Sequence, residues 1–353
     1  MAIHTVCGKI NAEDIGISAM HEHLYSDSWT SYYSNIGDMD TSVFQPLTLQ
    51  NYGLIRRNPG ALRENLILTD VELTIKEVAR YRKAGGSLIV DATVRGAFPN
   101  PKALKEISIG TGIHVVAATG FYMVDTLPPE DKELTASEMA ELCIREIQIG
   151  FSETDIQAGI IGEVGAIGEM DENERKILRA TATAQRETGA AVLLHTACPS
   201  TLFDSPLGLS WRERTHRVLD YLEARGADLS RVIVGHADVS ELNSVEDQLD
   251  ILRRGIVLEY DNFGQEHPYD RENTYGITDW QRVKNILRLV EEGYGTSLVL
   301  SMDVWQKAQY AAYGGWGFDH IPTNVFPMLR KNGLTEDDLY QISVLTPRRL
   351  LDF

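Results

Sequence analysis

Eight short apolar runs, most of them followed by a stretch of helical periodicity, limit what this chain can fold into more than any other feature. They occupy residues 15–24, 87–93, 114–122, 159–165, 191–196, 231–237, 255–261 and 297–304. Runs this short and this continuously apolar suit strands buried on both faces. Between them, residues 70–84, 136–150, 172–187, 212–225, 245–254 and 280–292 place apolar side chains three and four apart, so each can lay one face on a sheet. Asp70 and Thr335 stand where N-caps are needed, the second opening a C-terminal helix. Eight βα units in succession imply one (β/α)8 TIM barrel. No Pro/Ser-rich linker interrupts the 353 residues, so a single domain over 1–353 is expected. Two connections, 25–69 and 305–333, are too long for simple turns and should form long loops at the C-terminal mouth.

Charge narrows the function classes. A net charge of −18 and a pI near 4.9 argue against nucleic acid or an anionic membrane as partner. Cys7, Cys143 and Cys198 are odd in number and widely spaced, which fits neither a disulfide framework nor a cysteine zinc site. With no leader-like N-terminus and no apolar run of roughly 18 residues, a cytoplasmic location is expected. The partner is then a small-molecule substrate, and a homodimer is the default assembly.

Polar side chains end several of the apolar runs. His21-Glu22-His23 closes the first, and strand alternation puts both imidazoles on one face with Glu22 on the other. His195 ends the fifth run, His236 the sixth and Asp303 the eighth. In a closed barrel these ends converge on one pocket. An isolated pair of histidines is a weak signal, but the bland reading would have to hold independently at each strand end, where a buried polar group needs partners. Glu163 completes the set at the end of the fourth run.

Four imidazoles and two carboxylates exceed what one four-coordinate zinc requires. Two-metal hydrolytic sites hold ions about 3.5–4 Å apart, and Glu163 is read as the bridging carboxylate. Two divalent ions less two carboxylates and one hydroxide leave a charge of about +1, suited to a transition state that gains negative charge.

The motifs His21-Glu22-His23-Leu24, residues 159–165, Leu194-His195-Thr196, Gly235-His236 and Ser301-Met302-Asp303 resemble, in this order, the phosphotriesterase family of the amidohydrolase superfamily. The tail from Tyr313-Gly314-Gly315-Trp316-Gly317 to Thr323-Asn324 resembles the phosphotriesterase-related branch, whose bacterial members are often called resiniferatoxin-binding proteins. The resemblance implies two zinc ions, with His21, His23 and Asp303 on the buried ion and His195 and His236 on the more exposed one. Many members bridge the metals with a carboxylated lysine, and Glu163 stands in its place here. Asn262 occupies the position of a proton-relaying histidine in organophosphate-degrading members, which argues against efficient phosphotriester turnover. Gly120-Phe121-Tyr122 resembles lactonases, where the tyrosine orients a carbonyl.

The reaction expected is attack of a metal-bridging hydroxide on a carbonyl carbon, with Asp303 as catalytic proton acceptor. Tyr122, Asn262 and Trp305 are the expected substrate contacts. Trp29, Tyr310 and Trp316 are further wall candidates, and Arg56 and Arg57 could meet an acidic group. A lactone or ester is the first substrate class, an N-acyl amide the second and a phosphoester the third. A mononuclear deaminase and a non-catalytic ligand-binding protein are the competing readings; a single metal per chain would favour the deaminase.

Overall fold

The structure, a computed structural model, describes residues 1–29, 41–196, 207–240, 243–266, 268–269 and 274–353. Cys198 and parts of both the first long connection and the segment after the fifth strand lie outside them. Eight strands form one parallel sheet: β1 (Ile17–Glu22), β2 (Gly86–Asp91), β3 (His114–Thr119), β4 (Ile160–Gly165), β5 (Val192–His195), β6 (Val232–Gly235), β7 (Val257–Tyr260) and β8 (Leu298–Leu300). Each pairs with its sequence neighbour. The seam between β1 and β8 is drawn together at its upper end, where Asp303 N–H donates to the His21 carbonyl (3.1 Å) and His23 N–H to that of Val304 (3.2 Å). The result is the barrel expected from the alternation of runs.

The strands read as unbroken apolar runs because both faces are covered. Leu88, Val90, Val116, Ile160, Leu193, Ile233, Val257 and Val299 fill the barrel interior. Ile89, Val115, Ile161, Leu194, Val234, Leu258 and Leu300 pack outward against the helices. The surrounding helices are α1 (Val71–Lys83), α2 (Pro101–Thr111), α3 (Ala136–Gln148), α4 (Glu172–Thr188), α5 (Trp211–Glu223), α6 (Val245–Leu252) and α7 (Asp279–Glu291). Asp70 caps α1 by accepting from Leu73 N–H. Helix α2 is absent from the segments singled out by periodicity. It is set instead by Asn100, which caps it, and by Pro101 at its first turn.

Thr335 caps Glu336–Tyr340, and the helical path then widens over Gln341–Leu345 before Thr346–Leu351. The connection after β8 is not an open loop. Short helical turns at Lys307–Gln309 and Ala311–Tyr313 and the helix Phe326–Lys331 fold it down, and Tyr310 is buried with its hydroxyl 3.0 Å from Thr74 Oγ1. Tyr310 is therefore core, not the pocket wall expected of it. None of the helices among the described residues is long and apolar enough to cross a membrane.

Candidate metal centre

Strand alternation alone does not deliver the cluster. His195 and Asp303 keep parity with the interior residues Leu193 and Val299, but His21, His23, Glu163 and His236 do not. The pairing of β1 with β2 is irregular between Ala19 and Glu22, and that of β4 with β5 between Ile161 and Val164. Such an extra residue re-aims the side chains that follow it. At the end of β4 the irregularity depends on Gly162, whose φ is +116° and where any Cβ would run into the Leu193 carbonyl oxygen. His236 leaves β6 through a left-handed backbone, φ 58°, and Asp303 adopts φ 46°. Non-glycine residues hold such angles only where the surroundings impose them, and they concentrate at functional sites.

The six side chains expected to meet do meet. Glu163 Oε1 is 3.0 Å from His236 Nε2 and in contact with His195 Nδ1. On its other side, His23 Nε2 lies 3.8 Å from Glu163 Oε2 and 3.3 Å from Asp303 Oδ1. His21 Nε2 faces Glu163 Oε1 at 3.6 Å and Asp303 Oδ1 at 3.8 Å. Glu163 thus belongs to both halves of the cluster. Tyr122 adds its hydroxyl 3.2 Å from His195 Nε2, the two rings edge to face.

This donor set suits cations. His21 Nε2 is buried and has no hydrogen-bond partner among the described residues, yet two carboxylate oxygens face it just beyond hydrogen-bond range. A buried nitrogen in that position is costly unless something electropositive joins it to them. His21, His23, His195, His236, Glu163 and Asp303 are the residues that would hold metal, and imidazole with carboxylate suits zinc and related divalent ions.

Electrostatics agree. Burial by itself would lower the His21 imidazole, but Glu163, Asp261 and Glu259 outweigh it and hold it well above its ordinary range. Burial is likewise overcome at His236 by Asp261 and Glu163. It would raise Glu163, which His195 and His21 instead keep well below the usual carboxylate range. The carboxylates around these imidazoles therefore favour positive charge at this position.

A ring of supporting groups, mostly overlooked in the strand-end reading, orients the imidazoles. Asp261 Oδ1 is 3.0 Å from His236 Nδ1, and its Oδ2 accepts from His236 N–H. His21 Nδ1 lies 3.2 Å from both Asp261 Oδ2 and Glu259 Oε2, and His23 Nδ1 lies 2.8 Å from Thr93 Oγ1. Glu22, facing away from the histidines, accepts from Ser301 Oγ and from the Met302 and Val304 amides, tying β1 to the turn that carries Asp303. The Glu-x-Asp spacing at 259 and 261, with both side chains on the inner face of β7, was the available signal for two of these groups.

The expected substrate contacts divide. Trp305 is half-buried and follows the Asp303 turn. Asn262 is a correction: it is buried, and its amide donates to Asp238 Oδ1 and Asp261 Oδ1. It therefore braces the aspartate behind His236 and does not line the pocket. Trp29 is almost buried beside Phe44, whereas Trp316 is exposed and stacks on His320. Arg56 and Trp316 both border a separate cavity of about 190 Å³, and Arg57 is exposed.

The pattern that defines the Phosphotriesterase family matches residues 1–351. The chain belongs to this family. Family members are typically metal-dependent hydrolases, in keeping with the cluster. A phosphotriesterase-related protein of Nematostella vectensis is 32% identical, the match covering 99% of this chain and 98% of the relative. An N-acetyltaurine hydrolase of Danio rerio is also 32% identical, with 99% and 98% covered. Among solved structures, a resiniferatoxin-binding protein from Rhodobacter sphaeroides superposes with a TM-score of 0.90 at 31% identity, covering 99% of this chain and 95% of that one.

Proposed function

We propose that the chain acts as one catalytic unit, a binuclear metal-dependent hydrolase of a carboxylic bond. The observation that carries this reading is Glu163, whose Oε1 touches His195 and His236 and faces His21, while its Oε2 faces His23. A bridging carboxylate between two sets of imidazoles is what a pair of divalent ions needs and a single ion does not. Zinc is the first choice of metal.

When bound, the metals supply Lewis acidity and a nucleophile at neutral pH. The chain's own groups do the rest. Asp303 lies beside His21 and His23 at the upper edge of the cluster, where its carboxylate accepts the proton released during attack and passes it to the leaving group. Tyr122, next to His195, donates to the carbonyl oxygen as negative charge develops on it. Trp305, half-buried just after the Asp303 turn, is the proposed substrate contact from that loop.

Among substrates, an N-acyl amide takes precedence over the lactone or ester first expected. Full-length relatives at comparable identity carry the name N-acetyltaurine hydrolase, so a small acylated amine bearing an acidic group is the favoured class. The setting is cytoplasmic, and the acting form is a homodimer. The test is a screen of the zinc-loaded protein against N-acetyltaurine, N-acetyl amino acids, lactones, aryl esters and phosphotriesters. Fastest turnover on an N-acyl amide is expected; faster turnover of lactones returns precedence to them, and hydrolysis of none of the five classes overturns the reading.

A further inference from the structure

Beneath the candidate metal centre, strand β7 sends two carboxylates, Glu259 and Asp261, inward from alternate positions. Asp261 is fully engaged: one oxygen faces His236 Nδ1 and Asn262 Nδ2, the other accepts from His236 N–H and faces His21 Nδ1. Glu259 is different. It is 0% exposed, its Oε2 lies 3.2 Å from His21 Nδ1, and its Oε1 has no partner among the described residues. One imidazole nitrogen therefore faces two buried carboxylates, where one acceptor would satisfy its single N–H. Burying a second charge beside the first is costly without positive charge close by.

We propose that Glu259 is a positioning residue for the metal centre. It holds His21 in the tautomer whose Nδ1 carries the proton and whose Nε2 faces Glu163 and Asp303, and its charge makes the inner cation site bind tightly enough for two ions to coexist. The inference rests on the binuclear reading above. Carboxylate–histidine pairs of this kind orient a ligating ring and raise its basicity. His21, Glu259 and Asp261 are themselves close enough to surround a cation, but a proton on His21 Nδ1 takes that place between the two carboxylates instead.

The experiment is a zinc titration of metal-free full-length protein against a competing chelator, for wild type, Glu259→Gln and Glu259→Asp, with thermal melts of each metal-free protein. Wild type should bind two equivalents. Glu259→Gln should weaken one of them about 10- to 100-fold and leave the other unchanged, while Glu259→Asp, which keeps the charge, recovers most of the loss. Thermal melts show that each metal-free protein is folded before zinc is added, so that the recovery in Glu259→Asp, and not a loss of structure, separates positioning from a structural role. Unchanged zinc affinities in Glu259→Gln, or a third equivalent in wild type that this variant loses, overturn the inference alone. A wild type that binds no zinc, or one equivalent, overturns the binuclear reading with it.

Discussion

Glu163 and His236 stand 73 positions apart in the chain, yet Glu163 Oε1 lies 3.0 Å from His236 Nε2. That contact joins the end of β4 to a left-handed turn after β6, and through it the two halves of the cluster share one carboxylate. If this sharing is what retains a second cation, Glu163→Ala should fall from two bound zinc ions per chain to one or fewer. Elemental analysis of protein reconstituted with excess zinc checks it, and two ions retained would rule out the bridge.

Asp303 can be separated from simple metal retention. Asp303→Asn keeps an oxygen facing His23 but cannot accept a proton, so kcat should fall by about 10²- to 10⁴-fold while most of the metal remains bound. Steady-state kinetics on the best substrate from the screen, paired with metal analysis, gives the result. Full activity in Asp303→Asn would remove its assignment as proton acceptor.

Tyr122 tests the substrate side. Its hydroxyl reaches His195 Nε2 without belonging to the group of metal-holding side chains. Tyr122→Phe should leave the metal content unchanged and lower kcat by roughly 10-fold or more, in line with loss of a donor to a developing oxyanion. A change confined to KM would instead assign the ring to substrate packing.

Behind the site, Arg282 is fully buried between Asp238 at 2.7 Å and Asp279 at 3.0 Å, and His320 Nε2 lies 2.7 Å from the other Asp279 oxygen. Burial alone would raise the Asp279 carboxyl, but the His320 contact and the Arg282 charge outweigh it and hold it below its ordinary 3.8. A carboxylate lowered in the fold binds its proton less readily than in the unfolded chain. Its stabilisation is therefore present above the unfolded value of about 3.9 and lost as pH falls through the lower folded value. Asp279→Asn should be less stable than wild type at pH 7 by roughly 1.5–3 kcal/mol, and the gap should close in acid. Denaturant melts from pH 7 downward measure it; a gap that stays constant would show the charge to be irrelevant.

The sequence by itself determined the barrel and the identities in the cluster. Strands buried on both faces leave continuous apolar runs, helices leave a three-and-four spacing, and a polar group closing such a run can only sit at a barrel mouth. The six residues of the cluster could be read for that reason, as could the caps at Asp70 and Thr335. Only the tertiary structure decided how four of the six face inward, because the irregularities at β1 and β4 and the left-handed turn at His236 depend on how neighbouring strands pair. It also assigned Glu22, Glu259, Asp261 and Thr93 to the backs of the histidines and the Asp303 turn, drew Asn262 away from the pocket, and placed Tyr310 in the core. Their roles depend on contacts between strands distant in the chain, and no local pattern of apolar and polar residues encodes which of two buried faces a partner will occupy.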